Sequence, residues 1–117
     1  MKRILIVDDA VFIRQSLKIM LERNGFEVAG EADNGEKAID QYKQLSPDIV
    51  TMDITMPVMD GIEAVQEIKK LDKNANIVMM TALGQQSMVK KAIELGVKGF
   101  IIKPFSEQKI IKVLKEL

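Results

Sequence analysis

Four apolar runs in this chain each end in a polar residue whose side chain can take part in chemistry. The runs are Ile4–Val7, Ile49–Met52, Ile77–Met80 and Phe100–Ile102. They are followed by Asp8 and Asp9, by Asp53, by Thr81 and by Lys103, respectively. Carboxylates brought close together raise one another's pKa unless a cation lies between them. Oxygen ligands of this kind suit Mg²⁺ or Mn²⁺, so the pattern predicts a divalent metal site beside a hydroxyl and an ammonium group.

Each of these residues also has an ordinary structural explanation. Asp8 and Asp9 could cap a helix, and Asp53 could stand in a turn. Lys103 could extend along the surface with its ammonium group in water. We expect a shared site because all these residues follow strand-like runs, and a lysine at the end of a buried strand generally has an anionic partner. The next residue, Pro104, suits a constrained turn and is compatible with a cis peptide bond that directs Lys103 toward the carboxylates.

The composition limits the chemistry that this chain can perform. Its 117 residues are 47% hydrophobic and 29% charged, which suits one folded domain spanning residues 1–117. The absence of Cys and His excludes thiolate nucleophiles, disulfides, zinc–thiolate sites and histidine general bases. A net charge of zero argues against direct nucleic-acid binding or attachment to an anionic membrane. No apolar stretch has the length of a membrane span or a signal-peptide core, so we expect a cytoplasmic protein.

Strand-like and helix-like periods alternate from one end of the chain to the other. The predicted strands cover 3–8, 27–32, 48–53, 76–81 and 99–103, and the predicted helices cover 10–24, 35–45, 61–71, 84–95 and 106–117. The apolar runs are typical of strands buried on both faces. Five βα units with right-handed crossovers predict an α/β fold, in which helices cover both faces of a doubly wound five-stranded parallel sheet. The carboxyl ends of such strands share one edge, where open α/β folds bind ligands.

Short motifs along the whole chain resemble the receiver domain of two-component response regulators. The matching segments are Val7-Asp8-Asp9, Met52–Pro57, Met59-Asp60-Gly61, Thr81-Ala82, Gly99-Phe100 and Lys103-Pro104-Phe105. The resemblance implies a flavodoxin-like sheet with strand order 2-1-3-4-5. It also implies a signalling switch that catalyses its own phosphorylation and dephosphorylation, rather than an enzyme that acts on a separate substrate.

Four residues match the metal-binding positions of that family. The resemblance implies that Asp9 and Asp53 bind Mg²⁺ directly, together with the main-chain carbonyl of Thr55. Asp8 is expected to hold the ion through water, and Mn²⁺ is expected to substitute for Mg²⁺.

Three residues match the family's phosphoryl-transfer positions. The resemblance implies that the carboxylate of Asp53 attacks the phosphohistidine of a sensor kinase and becomes an aspartyl phosphate. Lys103 is expected to neutralise the phosphoryl oxygens, and Thr81 is expected to donate its hydroxyl to one of them. Positioning and charge neutralisation carry this reaction, so the absence of His is no obstacle.

The resemblance also predicts a partner surface made by the fourth helix, the fifth strand and the fifth helix. The expected contact residues there are Val89, Phe100 and Ile102. When Thr81 moves toward the phosphate, the family's aromatic residue, here Phe100, turns inward to fill the vacated space. Simple core packing would also explain a phenylalanine at this position.

Among stand-alone receivers, segments such as Gly84–Val89 most resemble those of chemotaxis. The given sequence stops with the fifth helix and includes no effector domain, so we expect the receiver to act by binding other proteins. We also expect a monomer. The expected partners are a sensor histidine kinase, a flagellar motor switch protein or another output protein, and a phosphatase.

Other functions are compatible with parts of the pattern. A phosphorelay intermediate would pass phosphate from Asp53 to a histidine of another protein. A receiver domain excised from a DNA-binding transcription regulator would dimerise through its fourth and fifth helices. A flavin-binding relative is disfavoured, because its phosphate-binding loop after the first strand is replaced here by Asp8 and Asp9.

Overall fold

The computed structural model describes residues 1–117 and contains five strands that alternate with five helices. The strands are β1 (Arg3–Val7), β2 (Glu27–Ala32), β3 (Ile49–Asp53), β4 (Ile77–Thr81) and β5 (Gly99–Ile102). The helices are α1 (Val11–Arg23), α2 (Gly35–Leu45), α3 (Gly61–Leu71), α4 (Gln86–Glu94) and α5 (Glu107–Lys115). Every predicted element is therefore present. None of the helices is both long and apolar enough to cross a membrane.

The ends of several elements differ from the prediction by one or two residues. Asp8 and Lys103, predicted as the last residues of their strands, lie just beyond β1 and β5. Helix α4 begins at Gln86 instead of residue 84, because Gly84 has a φ of +91° that is incompatible with a right-handed helix. Helix α5 ends at Lys115, two residues before the predicted end at Leu117.

The five strands form one parallel sheet in the order β2-β1-β3-β4-β5. This arrangement confirms the flavodoxin-like, doubly wound α/β fold. The strand order reverses between β1 and β3, which makes their carboxyl ends neighbours. Val7 pairs with Met52 across these two strands. The register therefore places Asp8 directly beside Asp53.

Two apolar clusters fix the sheet from its two faces. One cluster joins the sheet to α2, α3 and α4, and the other joins it to α1 and α5. Three methionines of the sheet, Met52, Met79 and Met80, are fully buried and fill this core. Because both faces are covered, the strand ends are the places where the sheet offers polar groups to solvent.

Candidate functional site

Three carboxylates meet at the adjoining ends of β1 and β3. One carboxylate oxygen from each of Asp8, Asp9 and Asp53 lies within 4.8 Å of the others. Asp8 is 1% exposed and Asp53 is 8% exposed, whereas Asp9 is open to solvent. The site is thus an acidic cluster whose floor is buried and whose outer member faces water.

Lys103 places its ammonium group against the two buried carboxylates. Its Nζ is 2.7 Å from Oδ2 of Asp8 and 3.1 Å from Oδ1 of Asp53. The Lys103–Pro104 peptide bond is cis. The main-chain N–H of Lys103 donates to the carbonyl of Thr81 at 2.6 Å, and Thr81 is itself buried. Lysine, hydroxyl and carboxylates therefore lie at the same edge of the sheet.

The surroundings of Asp53 shift its proton equilibrium. Burial and the nearby charge of Asp8 raise the pKa of Asp53 to about 6, although Lys103 opposes this rise. Burial alone would lower the pKa of Lys103, but the hydrogen bond to Asp8 and the charge of Asp53 outweigh it and leave the pKa raised. The ammonium group thus stabilises the ionised form of Asp53 only in part, and a further cation would be favoured here.

Asp8 does not cap α1, which was the ordinary explanation for its position. Its Oδ1 accepts from the N–H of Ala10 at 2.9 Å, and Ala10 is the residue at the helix N-cap. The main-chain carbonyl of Asp8 accepts from Nη1 of Arg14 at 2.7 Å, while Nε of Arg14 contacts Glu31 at 3.1 Å. Arg14 thus ties the Asp8 segment to α1 and β2. No motif or spacing in the sequence marks Arg14 for this role.

The start of α3 supports the backbone of Asp53. The N–H of Gly61 donates to the carbonyl of Ile54 at 2.7 Å. A Cβ atom at Gly61 would lie 2.0 Å from the carbonyl oxygen of Asp53, so only glycine fits there. The carboxylate of Asp60 caps the helix by accepting from the N–H of Glu63 at 2.9 Å. The resemblance included Asp60 and Gly61 but did not reveal this close approach.

Thr55 lies in the exposed connection after β3. Its Oγ1 accepts from Nε2 of Gln85 at 2.9 Å, and Oε1 of Gln85 accepts from the N–H of Ala82 at 2.7 Å. The side chain of Gln85 therefore bridges the segments that follow β3 and β4. Gln85 lies in the Gly84–Val89 segment that resembles chemotaxis receivers, but nothing in the sequence predicted this bridge.

The three residues predicted for the partner surface lie near α4 and β5. Ile102 is 60% exposed, while Val89 and Phe100 are half-buried. The ring of Phe100 packs against the cluster that joins the sheet to α2, α3 and α4. Val89 and Ile102 line a cavity of about 260 Å³ that reaches Thr81. Open space therefore connects the predicted surface with the strand end.

Comparison with known proteins gives a consistent family assignment. The sequence model of the response regulator receiver domain family matches residues 4–115 of this chain. The chain is 54% identical to the chemotaxis protein CheY of Thermotoga maritima, over 99% of this chain and 97% of that protein. It is 55% identical to CheY of Bacillus subtilis, over 97% of this chain and 95% of that protein.

The similarity extends to solved structures. One is the crystal structure of the CheX-CheY-BeF3-Mg+2 complex from Borrelia burgdorferi, in which the matched chain is 40% identical with a TM-score of 0.94. The match covers 98% of this chain and 87% of the other. Together with the strand order and the strand-end residues, these matches show that the chain belongs to the response regulator receiver family and is a homologue of chemotaxis CheY proteins.

Proposed function

We propose that this protein is a phospho-accepting response regulator that receives a phosphoryl group on Asp53 from a sensor histidine kinase. The observation that carries the proposal is the position of the Asp53 carboxylate. It lies at the carboxyl end of β3, 3.1 Å from the ammonium of Lys103 and beside two further carboxylates. A nucleophile, a cation and an acidic cluster are thus assembled at one sheet edge.

The carboxylate suits the chemistry of transfer from phosphohistidine. An oxygen of Asp53 forms a bond to phosphorus as the bond from phosphorus to the histidine nitrogen breaks, and the imidazole keeps the electron pair and takes up a proton. With a pKa of about 6, Asp53 is mostly ionised at neutral pH and needs no general base. Lys103 then stabilises the phosphoryl oxygens, and the hydroxyl of Thr81 donates to one of them.

The acidic cluster fits Mg²⁺, with Mn²⁺ as a substitute. Asp9, Asp53 and the main-chain carbonyl of Thr55 would bind the ion directly. Both carboxylate oxygens of Asp8 already have donors, the N–H of Ala10 and the ammonium of Lys103, which supports a contact through water instead. When bound, the ion supplies positive charge that neutralises the phosphoryl group.

The proposed output is a change in the surface formed by α4, β5 and α5. Movement of Thr81 toward a phosphoryl group would vacate space beside β4, next to the cavity that Thr81 lines. The ring of Phe100 would turn inward to fill the vacated space. Val89 and Ile102 would then present a different surface to a partner. The chain acts in this scheme as a switch that catalyses its own phosphorylation and dephosphorylation, without a separate substrate.

Chemotaxis is the pathway that the relatives support. The proposed partners are a chemotaxis histidine kinase and a flagellar motor switch protein, the latter docking near Val89, Phe100 and Ile102. The Borrelia structure contains CheY together with CheX, which supports a phosphatase partner for this chain as well.

Phosphorylation can be tested with a small phosphodonor. We expect acetyl phosphate and Mg²⁺ to add the mass of one phosphoryl group to the wild type, with no addition to Asp53→Asn. Asp40→Asn, which removes an exposed carboxylate of α2, is the matched control and should be phosphorylated like the wild type. An unchanged wild-type mass in the presence of Mg²⁺ would refute the proposal.

The pathway needs a separate experiment. We expect the phosphorylated protein to bind a flagellar-switch peptide more tightly than the unphosphorylated protein does. Transfer of the phosphoryl group to a histidine phosphotransfer protein, without a gain in peptide binding, would instead identify a phosphorelay intermediate.

A further inference from the structure

The side chain of Gln85 links the two chain segments that border the proposed phosphorylation site. Its Nε2 donates to Oγ1 of Thr55 at 2.9 Å, and its Oε1 accepts from the N–H of Ala82 at 2.7 Å. Thr55 lies two residues after Asp53, and Ala82 directly follows Thr81. One amide group therefore joins the segment carrying the phospho-acceptor to the segment carrying the hydroxyl.

Gln85 is also the N-cap residue of α4, but its side chain does not cap that helix. The side chains at the same position of α2, α3 and α5 all accept a main-chain N–H of their own helix. The amide of Gln85 is instead used in the bridge. The start of α4 is thus positioned through contacts with the site and not by a cap of its own.

The segment next to Gln85 has space in which to rearrange. Gly84 has a φ of +91°, and a Cβ atom placed there would contact nothing. Beneath the segment lies the cavity of about 260 Å³ lined by Thr81, Val89 and Ile102 among others. A shift of this segment would therefore meet open space and not packed core.

We propose that Gln85 is a positioning residue that holds the unphosphorylated arrangement and is released when Asp53 is phosphorylated. This inference rests on the proposed function, in which the Thr81 hydroxyl is drawn to the phosphoryl group. Ala82 must follow Thr81, and a hydrogen bond weakens steeply when its angle or length changes. The bridge and the phosphorylated arrangement therefore compete, and release of Gln85 transmits the change to the start of α4.

The competition can be measured with beryllium fluoride, a phosphoryl analogue, at a fixed Mg²⁺ concentration. Calorimetric titration of Gln85→Met, which keeps the length of the side chain but removes its hydrogen bonds, should give about two- to tenfold tighter binding than the wild type. Gln86→Met changes the neighbouring glutamine, which is exposed and takes no part in the bridge, and should bind like the wild type. Thr55→Val removes only the hydrogen bond at the other end of the bridge, and the double variant should gain no more than Gln85→Met alone.

A second measurement reports on the bridge itself. Hydrogen exchange at the Ala82 amide, without Mg²⁺ or beryllium fluoride, should be faster in Gln85→Met than in the wild type and Gln86→Met. Equal exchange would overturn the inference, as would equal or weaker binding of beryllium fluoride by Gln85→Met. If the wild type neither bound beryllium fluoride nor accepted phosphate, the proposed function itself would fail, which separates the two results.

Discussion

Replacing Asp53 by asparagine should stabilise the metal-free protein at neutral pH, although it removes the proposed phospho-acceptor. The pKa of Asp53 is raised from 3.8 to about 6 in the folded protein, first by burial and then by the charge of Asp8. A raised pKa means that the folded state binds the proton more tightly than the unfolded chain does. Protonation of Asp53 therefore stabilises the folded state. This stabilisation is complete below pH 3.8 and is lost as the pH rises through about 6.

The magnitude follows from the size of that shift. A rise of the pKa from 3.8 to about 6 corresponds to roughly 3 kcal/mol at about 1.4 kcal/mol per pKa unit. This value is the most by which the ionised carboxylate of Asp53 can destabilise the folded protein. The side chain of Asp53 is 12% exposed, and partial screening by solvent brings the expected destabilisation below this maximum. The amide introduced by Asp53→Asn would keep an oxygen that can accept from Lys103 but would carry no charge to bury.

Urea unfolding in the presence of a chelator tests this prediction. The free energy of unfolding of Asp53→Asn should exceed that of the wild type by about 1–3 kcal/mol at pH 8, and the difference should decrease toward pH 4. Asp40→Asn should stay within about 0.5 kcal/mol of the wild type at both pH values. A variant that is less stable than the wild type at pH 8, or a difference that does not change with pH, would refute the electrostatic reasoning.

Three further variants test other parts of the structure. Thr51→Val should raise the free energy of unfolding by about 1 kcal/mol, because the buried Oγ1 of Thr51 has no hydrogen-bond partner; chemical denaturation will show whether it does, and a loss of stability would reveal an unseen partner. Val58→Gly should raise it by about 0.5–1 kcal/mol, since Val58 has a φ of +69° and an exposed side chain; an unchanged urea midpoint would contradict this. Gly61→Ala should slow phosphorylation by acetyl phosphate at least tenfold, because the added Cβ atom would displace the carbonyl of Asp53. A mass-spectrometric time course measures the rate, and an unchanged rate would show that the fit of Gly61 against Asp53 does not position the carboxylate.

The elements of this fold are largely predictable from sequence, because local patterns specify them. Each apolar run is long enough for one buried strand, and residues such as Asn34, Asp60 and Ser106 mark helix starts through their capping side chains. The sharing of one edge by Asp53, Lys103 and their neighbours follows from parallel strands alone. The strand order is different, since only the family resemblance predicted it.

The supporting contacts of the site were not predictable in the same way. The bridge made by Gln85 and the contacts of Arg14 depend on the conformations of long side chains, for which sequence spacing gives no rule. The close approach of Gly61 to Asp53 depends on how α3 is placed against β3, which is a tertiary property. The roles assigned to Asp53, Thr81 and Lys103 are predictions from resemblance and stay so until chemistry is measured.

Locating the phosphoryl group tests the central claim most directly. After incubation with acetyl phosphate and Mg²⁺, borohydride reduction converts an aspartyl phosphate to homoserine, which peptide mass spectrometry can place in the chain. We predict homoserine at position 53 alone, and no homoserine when Mg²⁺ is removed by a chelator. Homoserine at Asp8 or Asp9, or none at any position of the wild type with Mg²⁺ present, would contradict the assignment of this sheet edge as a phosphorylation switch.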